Sequence, residues 1–196
     1  AHLRREDPQV GSDAVPLEAE LHVLVQDVET DEPVITDSDN EARERGTRGK
    51  WGGVVIAGRA PSRSVGAAVE GLPDVPYGGD DAHDDSGVLR YVRIWHAGAI
   101  VSVDNEINAL TLAGVGDGTT IEYVEVAFSL DDGVEIFGGT VNLRYISSLY
   151  NGDDAFDVDD GYAGRGQFLF AMLGEAGDHA LEVDAPSTRP LFYGLT

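Results

Sequence analysis

The sequence contains no cysteine and only one lysine, Lys50, among its 196 residues. Without cysteine the chain has no disulfide framework and no thiolate for catalysis or metal binding. Basic residues are scarce as a group, since 13 of them face 36 acidic residues and leave a formal net charge of −23. A field of that sign repels phosphates, so nucleic acid is not expected as a partner. No run of about 18 apolar residues occurs, so no transmembrane helix is expected either.

The acidic, lysine-poor composition also bears on the environment of the protein. It is typical of halophilic proteins, because strong salt screens the self-repulsion that otherwise opposes compaction. The alternative is a calcium-loaded extracellular protein from an ordinary environment. Both interpretations require cations around the carboxylates.

The chain is organised around a repeat in its second half. Residues 119–139 and 141–161 resemble each other at an offset of 22 residues, so that Tyr123 falls on Tyr145 and Val134 falls on Phe156. A period of that length, with short strands between turn residues, is typical of a solenoid. Each repeat forms one coil and buries its apolar face by stacking on the next coil.

Two classes of strand recur along the chain. One has the pattern of Leu89–Ile94, and the other resembles the segment Val54–Gly58. A period of two predicts that Leu89 and Tyr91 share one face of their strand, with Val92 and Ile94 on the other. No stretch has a capped helical period, so we predict an all-β parallel solenoid with coils of about 22–25 residues. A β-sandwich is the alternative, but it would show hairpin turns every 8 to 12 residues or so.

The chain divides into a lead-in and one solenoid domain. Residues 1–20 are polar and predict a poorly ordered lead-in or a partial cap, whereas residues 21–196 predict the β-helix. Residues 59–86 are rich in Pro, Gly and Asp and predict a long loop excursion from the coils. The last residues, RPLFYGLT, fall within a coil. We therefore expect a C-terminal end that is open, truncated, or covered by another protein chain.

Several long motifs occur in an order that resembles a known family: 50–61 (KWGGVVIAGRAP), 87–98 (GVLRYVRIWHAG), 104–126, 131–145 and 152–168 (GDDAFDVDDGYAGRGQF). The chain is similar over these motifs to secreted bacterial and archaeal right-handed parallel β-helix proteins, a lipoprotein-like group with the pectate-lyase-like fold. This resemblance implies a single-stranded right-handed β-helix that is extracellular or displayed at the cell surface. It implies no activity and no catalytic residues.

An acidic column is the main candidate for chemistry. In the repeat register Asp131 lies over Asp153 and Asp132 over Asp154, and Asp178 follows one coil later. Like charges opposite one another on neighbouring strands are destabilising, so cations, screening or protonation must offset them. Ca²⁺ takes six to eight oxygen ligands, and stacked aspartates can supply them. The alternative is that these aspartates occupy solvated turns. A second acidic column comprises Glu135, Asp157 and Glu182.

The same column permits a catalytic interpretation. Paired carboxylates divide acid and base roles when their environments separate their pKa values. The candidates for such roles are Asp131, Asp132, Asp153, Asp154 and His179, the one histidine aligned with the column. The segment 152–154 (GDD) is similar to a motif of polygalacturonase-type hydrolases, but the Gly-His-Gly and Arg-x-Lys segments of those enzymes are absent here.

Aromatic residues offer a possible sugar-binding surface, with Trp95, Tyr150 and Tyr162 as candidate stacking residues. Core or edge packing is the alternative for each ring. Taken together, the sequence favours a non-enzymatic extracellular module with a structural, adhesive or glycan-binding role. A polysaccharide lyase or glycoside hydrolase that uses the acidic column is the alternative. A third possibility, which follows from the open end, is a subunit of a surface assembly.

Overall fold

A computed structural model describes residues 20–24, 47–103 and 105–196, and fifteen β-strands lie within these ranges. These residues form no helix, and none of them is therefore part of a helix long and apolar enough to cross a membrane. The predicted lead-in, apart from Glu20, lies outside the described residues. The strands are β1 (Glu20–Leu24), β2 (Gly53–Ala57), β3 (Ala68–Val69), β4 (Leu72–Pro76), β5 (Val88–Trp95), β6 (Ala99–Ser102), β7 (Asn105–Ile107), β8 (Leu110–Ala113), β9 (Thr120–Ala127), β10 (Val134–Phe137), β11 (Asn142–Leu149), β12 (Phe156–Asp159), β13 (Arg165–Met172), β14 (Glu182–Val183) and β15 (Leu191–Leu195).

Most of these strands belong to two parallel sheets. The first sheet has the order β1-β2-β8-β10-β12-β14, and the second has the order β15-β13-β11-β9-β5. All neighbouring pairs in the two sheets are parallel except β1 with β2. The register follows the sequence repeat, since Val134 pairs with Phe156 and Ile121 pairs with Leu143. The predicted all-β solenoid with parallel stacked coils is confirmed.

The core lies between the two sheets. Apolar residues at alternating positions of each strand point inward and are almost fully buried, as at Leu112, Ile136 and Val158 of the first sheet. Ile121, Leu143 and Leu169 face them from the second sheet. Each coil therefore contributes one layer of side chains, which is why the sequence repeats its apolar positions at the coil period.

The long strands of the second sheet bend at one residue each. Tyr91, Tyr123, Tyr145 and Phe168 have φ values of 54–58°, the left-handed region, and Gly194 takes the equivalent place in β15 at 64°. The bend breaks the period of two, so the predicted pairing of Leu89 with Tyr91 on one face is wrong. Leu89 and Val92 pack against the core instead, while Tyr91 is exposed.

The rings at the bends form a stacked column on the surface. Successive centroids from Tyr91 to Phe168 lie 4.9, 4.7 and 4.8 Å apart, with the planes nearly parallel. These spacings match the distance between neighbouring strands. Stacking offsets part of the cost of placing non-glycine residues in the left-handed region, about 1–2 kcal/mol each.

At the bend residue Tyr145 we expect Asn to be tolerated better than Val, which is the reverse of the usual order of residue preferences in a strand. Tyr145→Val should lower the free energy of unfolding by about 1–2 kcal/mol more than Tyr145→Asn, because β-branched residues disfavour positive φ whereas Asn tolerates it. Urea unfolding of both variants measures the difference. The matched control is Ser147, two residues on in the same strand, where Val should be at least as stable as Asn. If the Val and Asn variants had the same order of stability at both positions, the explanation by positive φ would be contradicted.

The predicted excursion at 59–86 folds back over the outer face of the first sheet. Its strands β3 and β4 form a small antiparallel pair, and Val69, Val75 and Tyr77 pack on Val55 and Ala113 of the sheet. This second apolar cluster buries a face that would otherwise be exposed. At its margin the outer face becomes acidic, and the candidate site lies there.

Candidate functional site

The acidic site begins with a ladder of side chains just before the strands of the first sheet. Asp132 main-chain N donates to Asn108 Oδ1 at 2.9 Å, and Asp154 N donates to Asp132 Oδ1 at 2.9 Å. His179 N then donates to Asp154 Oδ1 at 2.6 Å. Each coil thus binds the main chain of the next coil through one Asn or Asp side chain. This geometry explains why the repeat has Asp at these positions.

The second acidic column lies on the outer face of the sheet. Glu135 pairs in register with Asp157, and Asp157 pairs with Glu182. Thr111 occupies the same column one coil earlier, beside Glu135. Because neighbouring strands are about 4.8 Å apart, the side chains of this column face one another closely.

The described residues contain three groups of potential ligand atoms on or beside the ladder and the column. In each group, one atom from each of three residues lies within 4.8 Å of the others. The groups are Asp131/Asp132/Asp153, Asp132/Glu135/Asp157 and Asp154/His179/Glu182. Asp132 belongs to two of them. We call the five residues of the first two groups the acidic cleft: Asp131, Asp132, Asp153, Glu135 and Asp157.

Burial is uneven across the acidic cleft. Asp132 and Glu135 are each 7% exposed, whereas Asp153 is exposed to solvent. Asn108 Nδ2 donates to Glu135 Oε2, so one oxygen of that carboxylate is satisfied. Asp157 Oδ1 is buried and has no hydrogen-bond partner among the described residues. A buried carboxylate oxygen without a partner is costly, and a cation would satisfy it.

The carboxyl groups of the cleft are shifted toward the protonated state. Burial, followed by the neighbouring Asp131, raises the pKa of Asp132 to about 8. Burial and Asp153 raise the pKa of Asp131 to about 6, and burial with Asp159 raises that of Asp157 to about 6. Burial and Asp132 raise the pKa of Glu135 well above its ordinary value. None of the ion pairs within the described part of the chain involves these five carboxylates, so protons or a bound metal ion would relieve their repulsion.

The predicted acidic residues are thus only partly brought together. Asp131, Asp132 and Asp153 converge, while Asp154 joins His179 in a separate group. Asp178 is exposed and lies 3.7 Å from His179 Nδ1, but it belongs to none of the three groups formed by the described residues. The alternative interpretation, that the aspartates occupy solvated turns, is wrong for Asp132 and Asp154, which are buried.

Asn108 is a member of the site that could not be recognised from the acidic pattern. It precedes Leu110 by two residues, as Asp132 precedes Val134. That shared spacing before a strand of the first sheet was the available signal. The change from Asp to Asn concealed it, although the amide serves the same ladder.

Of the three predicted sugar-stacking residues, Trp95 and Tyr150 pack on the same ring, that of Phe128, whereas Tyr162 lies apart from them in the core. Tyr162 is fully buried, and its hydroxyl donates to Val141 O at 2.8 Å, so it is a core residue and its ring is not available to a ligand. Trp95 is half-buried, and its Nε1 donates to Glu125 Oε1 at 3.0 Å. Tyr150 stacks on Phe128 with centroids 5.6 Å apart.

Comparison with known protein families identifies the domain to which this architecture corresponds. Residues 14–191 match the model of a pectate-lyase-like beta helix domain. No curated protein and no solved structure matches the chain.

Proposed function

Since the chain belongs to the family of pectate-lyase-like β-helix domains, we propose that it is a non-enzymatic β-helix module that binds a divalent cation in its acidic cleft. The observation that carries this proposal is the group Asp132/Glu135/Asp157. Two of its members are more than nine-tenths buried, and the third has a buried oxygen without a partner among the described residues.

Oxygen chemistry and charge favour Ca²⁺ as the cation. Hard cations with six to eight oxygen ligands suit carboxylates, and the cleft offers several within a small volume. The cation would neutralise charges that burial otherwise forces to take up protons. Extracellular modules bind Ca²⁺ at about 10⁻⁴–10⁻³ M, and we propose an extracellular or cell-surface location in which such an affinity is useful.

Direct titration tests this function. Isothermal titration of the cation-free protein with Ca²⁺ at about pH 7.5 should give saturable binding, and Asp157→Asn should weaken it at least about tenfold because one ligand and one charge are lost. The control is Asp74→Asn, which changes an exposed carboxylate on β4 outside the three groups. Absence of saturable binding, or equal binding by Asp157→Asn, would contradict the proposal.

One observation favours a second candidate, acid–base catalysis on a polysaccharide. Asp131 and Asp132 are adjacent carboxyl groups whose pKa values differ, about 6 and about 8, as an acid and a base require. Turnover is measured by reducing ends and unsaturated products with acidic and neutral polysaccharides. The non-enzymatic proposal expects none. Turnover lost in Asp132→Asn but retained in Asp74→Asn would establish the enzyme instead.

A further inference from the structure

The stacked column of rings on the second sheet brings three phenol groups into direct contact at the protein surface. Tyr91 and Tyr123 stack with their ring centroids 4.9 Å apart, and Tyr123 and Tyr145 stack at 4.7 Å. The two planes of each pair are inclined by only 13°. Tyr91 is 76% exposed and Tyr123 is 40% exposed, so soluble reagents reach them. We call Tyr91, Tyr123 and Tyr145 the tyrosine row.

The other tyrosines have no tyrosine neighbour in the described part of the chain. Each of Tyr77, Tyr150 and Tyr162 contacts a phenylalanine ring, and Tyr193 makes no ring contact with a described residue. The column itself ends in Phe168, which has no hydroxyl group. Among the described contacts, two phenols can therefore react with each other only in the tyrosine row.

The spacing of the rings suits a covalent bond between them. In two phenols joined through their ortho carbons, the centroids lie two ring radii and one carbon–carbon bond apart, which is slightly less than the separation in the tyrosine row. The sheet fixes that separation, because Ile121 pairs in register with Leu89 on one side and with Leu143 on the other. Exposed side chains change rotamer within nanoseconds, so the rings can tilt edge to edge while the coils stay in place.

The composition of the chain favours a reaction between these rings over competing reactions. The chain has no cysteine and one methionine, Met172, so few sulfur atoms compete for an oxidant. The net charge of −23 makes two copies repel each other at low salt, which disfavours coupling between chains. A phenoxyl radical in the tyrosine row therefore meets a neighbouring phenol of its own chain first.

We propose that the tyrosine row is a site of oxidative modification, at which a one-electron oxidant, a peroxidase with hydrogen peroxide, joins two neighbouring rings as dityrosine. Each phenol loses one electron and one proton, and the two phenoxyl radicals form a bond between ortho carbons. The hydrogens on those carbons then leave as protons while the two oxygens are reprotonated. In total, two tyrosines and one hydrogen peroxide give one dityrosine and two waters. The bond links two coils covalently in a chain without disulfides.

The test is oxidation of the whole chain by a peroxidase and hydrogen peroxide in low-salt buffer, followed by intact mass and dityrosine fluorescence of the denatured monomer. We expect a monomeric product that lacks two hydrogen atoms, with a yield per chain that does not fall on dilution. Tyr123→Phe should abolish this product, because both stacked pairs lose a phenol. The control is Tyr193→Phe, which removes an exposed tyrosine outside the row and should leave the yield unchanged.

Trypsin then assigns the bond to a pair of coils. Cleavage after Arg90, Arg93 and Arg144 places the three tyrosines of the row on separate peptides, 91–93, 94–144 and 145–165. Peptide 94–144 should be linked to one of the other two. The linked protein should also melt roughly 5–10 °C higher than the unoxidised protein, because a bond between coils constrains the unfolded chain.

A second variant keeps the test independent of the fold of the first. Tyr123→Phe should fold, since Phe168 already occupies an equivalent place in the column. The double variant Tyr91→Phe/Tyr145→Phe leaves Tyr123 without a phenol neighbour and should lose the product as well. Three results would overturn the proposal: no dityrosine in the wild type, dityrosine confined to covalent dimers, or intramolecular dityrosine that either variant retains.

Discussion

In cation-free buffer, the free energy of unfolding is expected to decrease as the pH rises from about 4 to about 8, and millimolar Ca²⁺ should restore it. The four carboxyl groups Asp131, Asp132, Glu135 and Asp157 have raised pKa values in the folded state. Between the unfolded pKa of 3.8 and the folded values of about 6 and about 8, each aspartate binds more protons when folded.

The sign of the effect follows from proton linkage. Stability decreases with pH wherever the folded state binds more protons, by about 1.4 kcal/mol per pH unit for each extra proton. The decrease should be steepest between about pH 4 and 6, where all three aspartates contribute, and should continue to about pH 8 through Asp132. His83 and His179 act in the same direction, because Asp117 and Asp178 respectively raise their pKa values.

Asp132→Asn should separate charge from cation binding. The amide oxygen can still accept from Asp154 N, so the ladder is retained while the buried charge is removed. In EDTA at about pH 8 the variant should therefore melt higher than the wild type, and Ca²⁺ should raise its melting temperature much less. Thermal melts of both proteins at about pH 5 and about pH 8, with EDTA or Ca²⁺, give the comparison.

Asp74→Asn is the control, because it removes an exposed charge at no cost to the cleft. It should follow the wild type in all four conditions. A wild-type melting temperature that does not respond to pH or to chelator would contradict the electrostatic explanation. An equal Ca²⁺ response in Asp132→Asn would remove that residue from the cation site.

The fold could be predicted from the sequence because every coil of a solenoid must meet the same packing requirements. Each coil must present the same inward residues, so the offset between Val134 and Phe156 is enough to indicate which residues pair across coils. The bends in the long strands of the second sheet could not be predicted in this way. Tyr is an unexpected residue for positive φ, and only the stacking of Tyr123 between its neighbours accounts for it.

The alignment of the acidic residues across coils could be predicted from the sequence, but the burial of their side chains could not. The repeat placed Asp132 and Asp154 in line, and their ladder hydrogen bonds follow that line. Burial of a turn aspartate depends on residues that are distant in sequence, and so does its electrostatic environment: the charge of Glu70, on the excursion, helps to raise the pKa of Asp131 and of Glu135. Local patterns carry no information about such long-range effects.

Asp160 attaches the excursion to the coils, a role that no local pattern in the chain indicates. Its carboxylate accepts from Ser64 N at 3.3 Å, from Ser64 Oγ at 2.7 Å and from Tyr77 Oη at 3.0 Å. Its main-chain O accepts from Arg63 N at 2.8 Å. The residue is 6% exposed and has a φ of 51°, which Asp tolerates better than most side chains.

Asp160→Ala is expected to lower the free energy of unfolding by about 3–5 kcal/mol. Three hydrogen bonds to a charged acceptor are lost, the buried hydroxyl of Tyr77 loses its partner, and alanine is strained at positive φ. Asp160→Asn should cost about 1–2 kcal/mol, because it retains one acceptor oxygen and tolerates the backbone conformation. Urea unfolding measures both values, and Asp74→Ala, within the excursion but exposed, is the control.

Limited trypsin digestion of Asp160→Ala shows which part of the protein is destabilised by the substitution. Arg63 adjoins Ser64 and is exposed, so detachment of the excursion should speed cleavage after Arg63 before the coils unfold. Arg165, on β13 of the second sheet, should be cleaved no faster than in the wild type under the same native conditions. If both sites become sensitive together, the excursion and the coils unfold as one unit, and Asp160 stabilises the whole solenoid rather than the excursion alone.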